Sequence, residues 1–141
     1  MRTFTDSITV AADPGAVFDV IADVQRWPEW TASMSWVRLH TPGPLAVGSR
    51  ASLKQPGLSG THWTVTRCQR PLGFSWVSPL PGVLCTADHE VRPVDGGSQV
   101  TLRLHFGGWL GGVAGLLGGA LTKRYLRMEV LGLRERCEGR R

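Results

Sequence analysis

The stretch GGWLGGVAGLLGGALTKRYLRMEVLGLRERCE, Gly107 to Glu138, decides how this chain folds. Leu110, Val113, Leu117, Leu121, Met128 and Leu131 recur at helical spacing, with one wider gap around Arg124 and Tyr125. Residues so spaced form one stripe along a single helix. From Trp109 to Cys137 that helix is about 40 Å long at ~1.5 Å per residue. Such a stripe needs an apolar surface opposite it, and the residues before it read as the sheet that supplies one. A curved sheet closed on one long helix leaves a cavity, and that cavity is where function belongs. Gly111, Gly115 and Gly119 lie to one side of the Leu110–Leu117–Leu121 stripe, where they permit close backbone approach or soften the helix start. Glycine costs ~1 kcal/mol against alanine inside a helix, so a late or irregular start is expected, and an irregular lid over 107–121 remains the alternative.

The 141 residues are long enough for one domain, 1–141, with a core of its own. Hydrophobic residues at 42% against 19% charged exclude a disordered chain. Six tryptophans against one tyrosine supply large apolar area with few polar handles. The net charge of +5 gathers in Arg2, Arg124, Arg127, Arg134, Arg136, Arg140 and Arg141, at the ends and along the last helix. Only Tyr125 stands among these, whereas a nucleic-acid surface interleaves basic and aromatic side chains. A solvated helix face and tail is the expectation, with weak attraction to anionic membranes as the other reading. Cys68, Cys85 and Cys137 form no CxxC pair, so neither zinc nor a disulfide framework is indicated. That fits a reducing, cytoplasmic compartment, and the N-terminus shows no apolar signal core. The apolar run Gly107 to Leu121 is shorter than the ~20 residues of a membrane span.

Outward from the helix, Phe4 to Val10 reads as a strand. Asp13-Pro14 starts a helix whose stripe is Val17, Phe18, Ile21 and Val24, ending near Gln25. Pro28 predicts a break at Trp27, then a second short helical turn from Pro28 to Ala32. Strands follow at Trp36–His40, Gly48–Gln55, Thr61–Gln69, Gly73–Ser78 and Val83–Arg92. Asp95-Gly96-Gly97 then turns the chain into a last strand, Gln99–Phe106. Turn residues between short strands indicate an antiparallel meander. Alternation assigns the inner faces. Trp63 and Val65 share one, as do Phe74 and Trp76. Cys85, Ala87, His89 and Val91 share the next, and Val100, Leu102, Leu104 and Phe106 the last, with Arg103 and His105 outside. Ala51, Leu53 and Gln55 are placed inward. Val37 and Leu39 are placed inward too, with Trp36 as the alternative.

Taken together, Asp13-Pro14 with Val17-Phe18, Trp27-Pro28-Glu29-Trp30, Val47-Gly48-Ser49-Arg50, Gln55-Pro56-Gly57, Trp63-Thr64-Val65-Thr66, Phe74-Ser75-Trp76, His89 and Gly97-Ser98-Gln99-Val100-Thr101 resemble a known family over essentially the whole chain. It is the SRPBCC superfamily of START-like, helix-grip proteins, in its bacterial polyketide cyclase/dehydrase-like branch. The resemblance implies an α+β helix-grip fold. A seven-stranded antiparallel sheet wraps a long C-terminal helix, two short helices follow the first strand, and a deep hydrophobic cavity lies between. It also implies the ligands of that superfamily, which includes polyketide aromatases and cyclases, lipid-transfer domains and birch-pollen-allergen relatives. Fold alone does not name a reaction.

The expected cavity wall is Val37, Leu53, Gln55, Trp63, Val65, Phe74, Trp76, Cys85, Ala87, His89, Leu102, Leu104, Leu117, Leu121 and Tyr125. Polar groups are few there: His89, Gln55, Tyr125 and the indole N–H groups. His89 is the one inward group that titrates near neutrality, and it is the best single candidate for acid/base catalysis. The bland reading is a core histidine bonded to Tyr125 or to water. Tyr125 either points its phenol into the cavity or packs at the helix edge. Gln55 reads as a strand-end residue as readily as a ligand contact. His40, His62 and His105 face solvent. Asp6, Asp13, Asp19 and Asp23 have no histidine partner, so neither a metal nor a triad is indicated. No Walker loop is present and no cofactor is implied. Cys85 is expected to be buried and inert. Trp27 and Trp30 are expected to close one end of the grip, with Pro42–Ala46 and Pro79–Gly82 as candidate lids. Three functions follow. The first is a binding protein for a lipid-like or polycyclic ligand. The second is a polyketide cyclase/dehydrase using His89. The third is a protein- or membrane-interaction module, which calls for an exposed apolar patch and a small or filled cavity.

Overall fold

The computed structural model describes residues 2–139; Met1 lies outside them, as do Arg140 and Arg141 of the basic tail. Asp13 caps the first helix as its sequence predicts. Its carboxylate accepts the Ala16 N–H at 3.2 Å, and Pro14 takes the first helical position. This helix, α1, runs Pro14–Ala22 and buries Val17, Phe18 and Ile21. It stops earlier than its stripe predicts because Trp27 folds back. The indole Nε1–H donates to the Ile21 carbonyl at 2.9 Å and satisfies the helix end that the backbone would otherwise continue. The chain then tightens into a 3-10 helix, Val24–Glu29, with Pro28 inside it. The expected break at Trp27 and turn from Pro28 to Ala32 are therefore replaced by a break at Asp23 and an earlier, tighter turn. Trp27→Phe removes this buried donor and leaves the carbonyl unpaired. We expect it to cost about 2 kcal/mol in urea unfolding; an unchanged midpoint would show that the bond carries no net stability.

Seven strands make one antiparallel sheet in the order β1-β7-β6-β5-β4-β3-β2. They are β1 Arg2–Val10, β2 Trp36–Leu39, β3 Arg50–Lys54, β4 Thr61–Gln69, β5 Gly73–Leu80, β6 Val83–Val94 and β7 Gly97–Gly107. β2 to β7 form the expected meander, and β1 closes beside β7 with Arg2 opposite Phe106 and Val10 opposite Ser98. β5 continues through Pro79 and Leu80, so its turn is only Pro81-Gly82. A bulge between Val65 and Arg67 shifts β4 by one residue and turns Cys68 toward the core, opposite Phe74. The predicted inner faces otherwise hold. Val37, Leu53, Val65, Phe74, Trp76, Val91, Val100 and Leu102 are buried in one cluster with α1, the 3-10 helix and the last helix. Trp36 lies outside, under the Arg38 guanidinium at 4.7 Å.

The last helix, α2, runs Gly111–Cys137 without interruption, so 107–121 is no irregular lid. Its buried face is not the predicted leucine stripe. Leu117 is 82% exposed and Val113 54%. The buried positions are Gly111, Gly115, Gly119, Tyr125, Leu126, Val130, Gly132 and Leu133. Glycine wins the inner face because the helix backbone lies almost on its neighbours. A Cβ at Gly111 would stand 2.5 Å from the Phe106 carbonyl oxygen, and one at Gly115 2.5 Å from Arg2 Cβ. No helix among the described residues is long and apolar enough to cross a membrane.

Candidate functional site

α2 lies closely on the sheet at its glycine end and on Trp30, beside the 3-10 helix, at Gly132, and between these contacts a cavity of about 380 Å³ remains. β3 to β7 supply Leu53, Trp63, Trp76, Cys85, Ala87, His89, Leu102, Leu104 and Phe106, with Asp88 and Arg103, which pair with each other at 3.5 Å, also bordering the space. α2 supplies Ala114, Gly118, Leu121, Thr122, Tyr125, Leu126 and Glu129. Trp27 and Met34 lie deep in the wall, while Gln55, Leu58, Ser59 and Gly60 come from the loop between β3 and β4, and Thr61 and Leu80 from strand ends. Of the predicted wall residues, Val37, Val65 and Phe74 are instead packed into the core behind it, buried by their neighbours. Leu117 points away into solvent, one consequence of the turned helix face. Leu53, Gln55, Trp63, Trp76, Cys85, Ala87, His89, Leu102 and Leu104 stand where the alternation places them, and Leu121 and Tyr125 line the space from α2.

Most of the polar handles are already engaged. Trp63 Nε1–H donates to Thr61 Oγ1 at 2.8 Å, and the Tyr125 hydroxyl donates to the Pro56 carbonyl. The phenol thus ties α2 to the 55–60 loop, with its ring on the wall. His89 is not bonded to Tyr125, whose hydroxyl is taken by Pro56. Its Nδ1 meets the Phe74 carbonyl at 3.2 Å, and its ring stacks on Phe74 with centroids 4.2 Å apart. Trp27 lies 5.4 Å from the same ring. Burial among these groups pushes the imidazole down to about 4, against the pull of the Phe74 carbonyl and the Asp88 charge. At neutral pH His89 is therefore an uncharged ring whose Nδ1–H is spent on the backbone, leaving the Nε2 lone pair. Burial also raises the Cys85 thiol, in line with an inert cysteine.

Glu129 is the group that sequence reasoning missed. It follows Tyr125 by four residues and so shares the inner face with Leu126, Val130 and Leu133. Although the residue keeps some surface, its carboxyl end is enclosed. Burial pushes it up to about 7, with the Ser33 hydroxyl donating to Oε2 at 2.9 Å in partial compensation. The signal was present as a lone carboxyl inside an apolar stripe, hidden because the stripe was assigned to the wrong helix face.

A larger and shallower hollow of about 550 Å³ lies elsewhere, between α1 and the 43–47 loop. It is an open trough whose charged groups are already paired, Asp19 with Arg70 at 2.9 Å and Asp23 with Arg26 at 3.3 Å. The turn at Pro42–Ala46 borders this trough and not the cavity, so of the two candidate lids only the one at Leu80 reaches the cavity. His40 and His62 lie on the outer face, where both ring nitrogens meet Ser52 Oγ at 2.7 Å, and His105 Nδ1 meets Thr3 Oγ1 at 2.5 Å. No group of three metal-ligating side chains occurs among the described residues.

Residues 1–138 match the family model described as "Polyketide cyclase / dehydrase and lipid transport". No curated protein matches the chain. Among solved structures, jhp0584 from Helicobacter pylori, a hypothetical protein, superposes with a TM-score of 0.81 at 10% identity, over 96% of this chain and 88% of that one. TTHA0849 from Thermus thermophilus gives 0.77 at 15% identity, over 96% and 97%. The Zhui aromatase/cyclase from a Streptomyces species gives 0.77 at 18% identity, over 97% and 93%. At these identities the likeness is one of fold.

Proposed function

Because the chain belongs to the polyketide cyclase/dehydrase and lipid transport family, whose members bind hydrophobic ligands or cyclise polyketides, we propose that it holds a lipid-like or polycyclic small molecule between its sheet and α2. The observation that carries this reading is the cavity of about 380 Å³, walled by indole, phenyl and aliphatic carbon, with its polar groups confined to a few positions. Burying roughly 300 Å² of ligand at ~25 cal/mol per Å² yields several kcal/mol before the costs of association, enough for micromolar binding. The test is native mass spectrometry for a co-purifying apolar compound, joined to titration with a fluorescent naphthalene probe. Ala87 sits between Trp76 and Leu104 on neighbouring strands, so Ala87→Phe pushes a ring into the space. We expect it to weaken probe binding by about tenfold or more. Absence of both a bound compound and a probe response in the unaltered protein would end the carrier reading.

A second reading, cyclisation or dehydration of a polyketide, draws support from Glu129 as well as His89. A carboxyl displaced to about 7 in the same cavity as a neutral imidazole gives one group that can donate a proton and one that can accept it. In this reading Glu129 is the better-poised acid/base, and His89 offers its Nε2 lone pair. The interaction-module reading meets one of its two conditions. The exposed apolar patch is there, but the cavity is not filled.

A further inference from the structure

The outer face of the first turns of α2 has no evident reason to be apolar. Trp109 is 84% exposed and Leu116 65%, beside the equally bare Leu117 and Val113. Leu110 N–H donates to the Gly82 carbonyl at 2.7 Å, which locks this corner to the β5–β6 turn. Leu80, the last residue of β5 before that turn, and Leu58 of the loop between β3 and β4 are themselves well exposed, and both line the cavity. Ala114, Gly118 and Leu121 line it from the same turns of α2 that carry the bare side chains outside. The apolar surface therefore rings one end of the cavity. Isolated exposed leucines are ordinary, but a contiguous set of this size marks a surface that is covered in use.

Charge selects the cover. No aspartate or glutamate occurs between Glu29 and Asp88, nor between Asp95 and Glu129, so the loop at Leu58, the turn after Leu80 and the first turns of α2 all lack carboxylates, and Asp6 of β1 is paired with Arg127. Basic groups border it. Arg124 lies seven residues after Leu117 and Lys123 seven after Leu116, two helical turns along the same exposed face. The Arg2 side chain packs directly against Gly115, between the patch and the sheet. Among the described residues neither Arg2 nor Arg124 has an ion-pair partner. An exposed indole with leucines, fringed by cations and free of anions, is the chemistry of a protein face that sits at the headgroup level of an anionic bilayer. We propose that this end of the protein docks on anionic lipid membranes, with Trp109, Leu116 and Leu117 entering the interface and Arg2, Lys123 and Arg124 meeting lipid phosphates. The mouth at Leu58 and Leu80 then opens toward the lipid, so an apolar ligand passes between membrane and cavity without crossing water. The transfer step rests on the reading of the cavity as a hydrophobic-ligand site; the docking does not.

The experiment is flotation of the full chain with vesicles of phosphatidylcholine alone, or with about a third phosphatidylglycerol. We expect binding to the anionic vesicles at least about tenfold stronger than to the neutral ones, and lost in high salt. Trp109→Ser with Leu117→Ser should abolish it. Arg2→Gln with Arg124→Gln should lower it by about tenfold and remove the lipid preference. All four side chains are on the surface, so melting curves should stay unchanged. Binding that ignores both double variants, no preference for anionic lipid, or no binding at all would overturn the proposal. So would a dimer in sedimentation that Leu117→Ser dissolves, which would make a second copy the cover. The naphthalene probe, measured without vesicles, should still bind every variant, so failure of docking is separable from failure of the cavity reading.

Discussion

Gly132→Ala lowers the stability of this fold by about 3 kcal/mol, which we expect to appear as a fall of about 10 °C in melting temperature. The added Cβ would stand 1.9 Å from the Trp30 carbonyl oxygen and 3.0 Å from its carbonyl carbon. Neither side can yield cheaply. Trp30 and Thr31 both donate their N–H groups to the Trp27 carbonyl at 3.0 Å, and the Trp27 ring is buried against Trp76 and His89. The methyl group must therefore lift α2 away from the 3-10 helix. Alanine's better helix propensity returns only ~1 kcal/mol of that cost. Gly118→Ala is the control on the same helix, since its Cβ meets only Thr122 Oγ1 at 4.0 Å. There the propensity acts alone, and stability should rise by up to about 1 kcal/mol. Equal effects at the two sites would refute this account of the helix contact.

The second large effect is on acid stability, and in the unaltered protein it is concealed. His89 is held at about 4 when folded, below its ordinary 6.5. Between those values the unfolded chain binds a proton that the folded one refuses, so stability is lost as pH falls. Glu129 is held at about 7, above its ordinary 4.5. Between those values the folded chain keeps a proton that the unfolded one releases, so stability is lost as pH rises. From pH 4.5 to 6.5 the two slopes oppose each other, each worth about 1.4 kcal/mol per pH unit. Glu129→Gln should therefore expose the histidine and make the protein about 3 kcal/mol less stable at pH 4.5 than at 6.5, relative to the parent. His89→Gln should tilt the profile the other way by a similar amount. Urea unfolding at a few pH values measures both. Profiles that stay parallel to the parent would mean that neither group is displaced by burial.

The sheet was readable because alternation is a local rule that a buried face enforces residue by residue. Trp76, Ala87, His89 and Leu102 all landed where period two put them. It faltered only where a local rule is suspended, as at the bulge after Val65. The long helix was readable as a helix, but its orientation was not. Hydrophobicity ranks leucine above glycine, yet here the glycines face in and Leu117 faces out, because close approach of backbones decided the contact and side-chain polarity did not. That error removed one predicted wall residue and hid Glu129. The loss of Val37, Val65 and Phe74 from the wall has another cause. Period two tells inside from outside, but it cannot tell a cavity surface from the packed layer beside it.

The pairing of β1 with β7 also sets an order of assembly. Each hairpin from β2 to β7 joins neighbours in sequence and can form as soon as its residues are available. β1 can pair only when the chain has reached Phe106, and its partner lies at the far end of the meander. Closing that loop costs entropy that local contacts cannot repay, so the first strand to be made is among the last to be docked. Until then β7 presents an open edge, which is the interval in which a nascent chain of this fold is most exposed to pairing with another copy of itself.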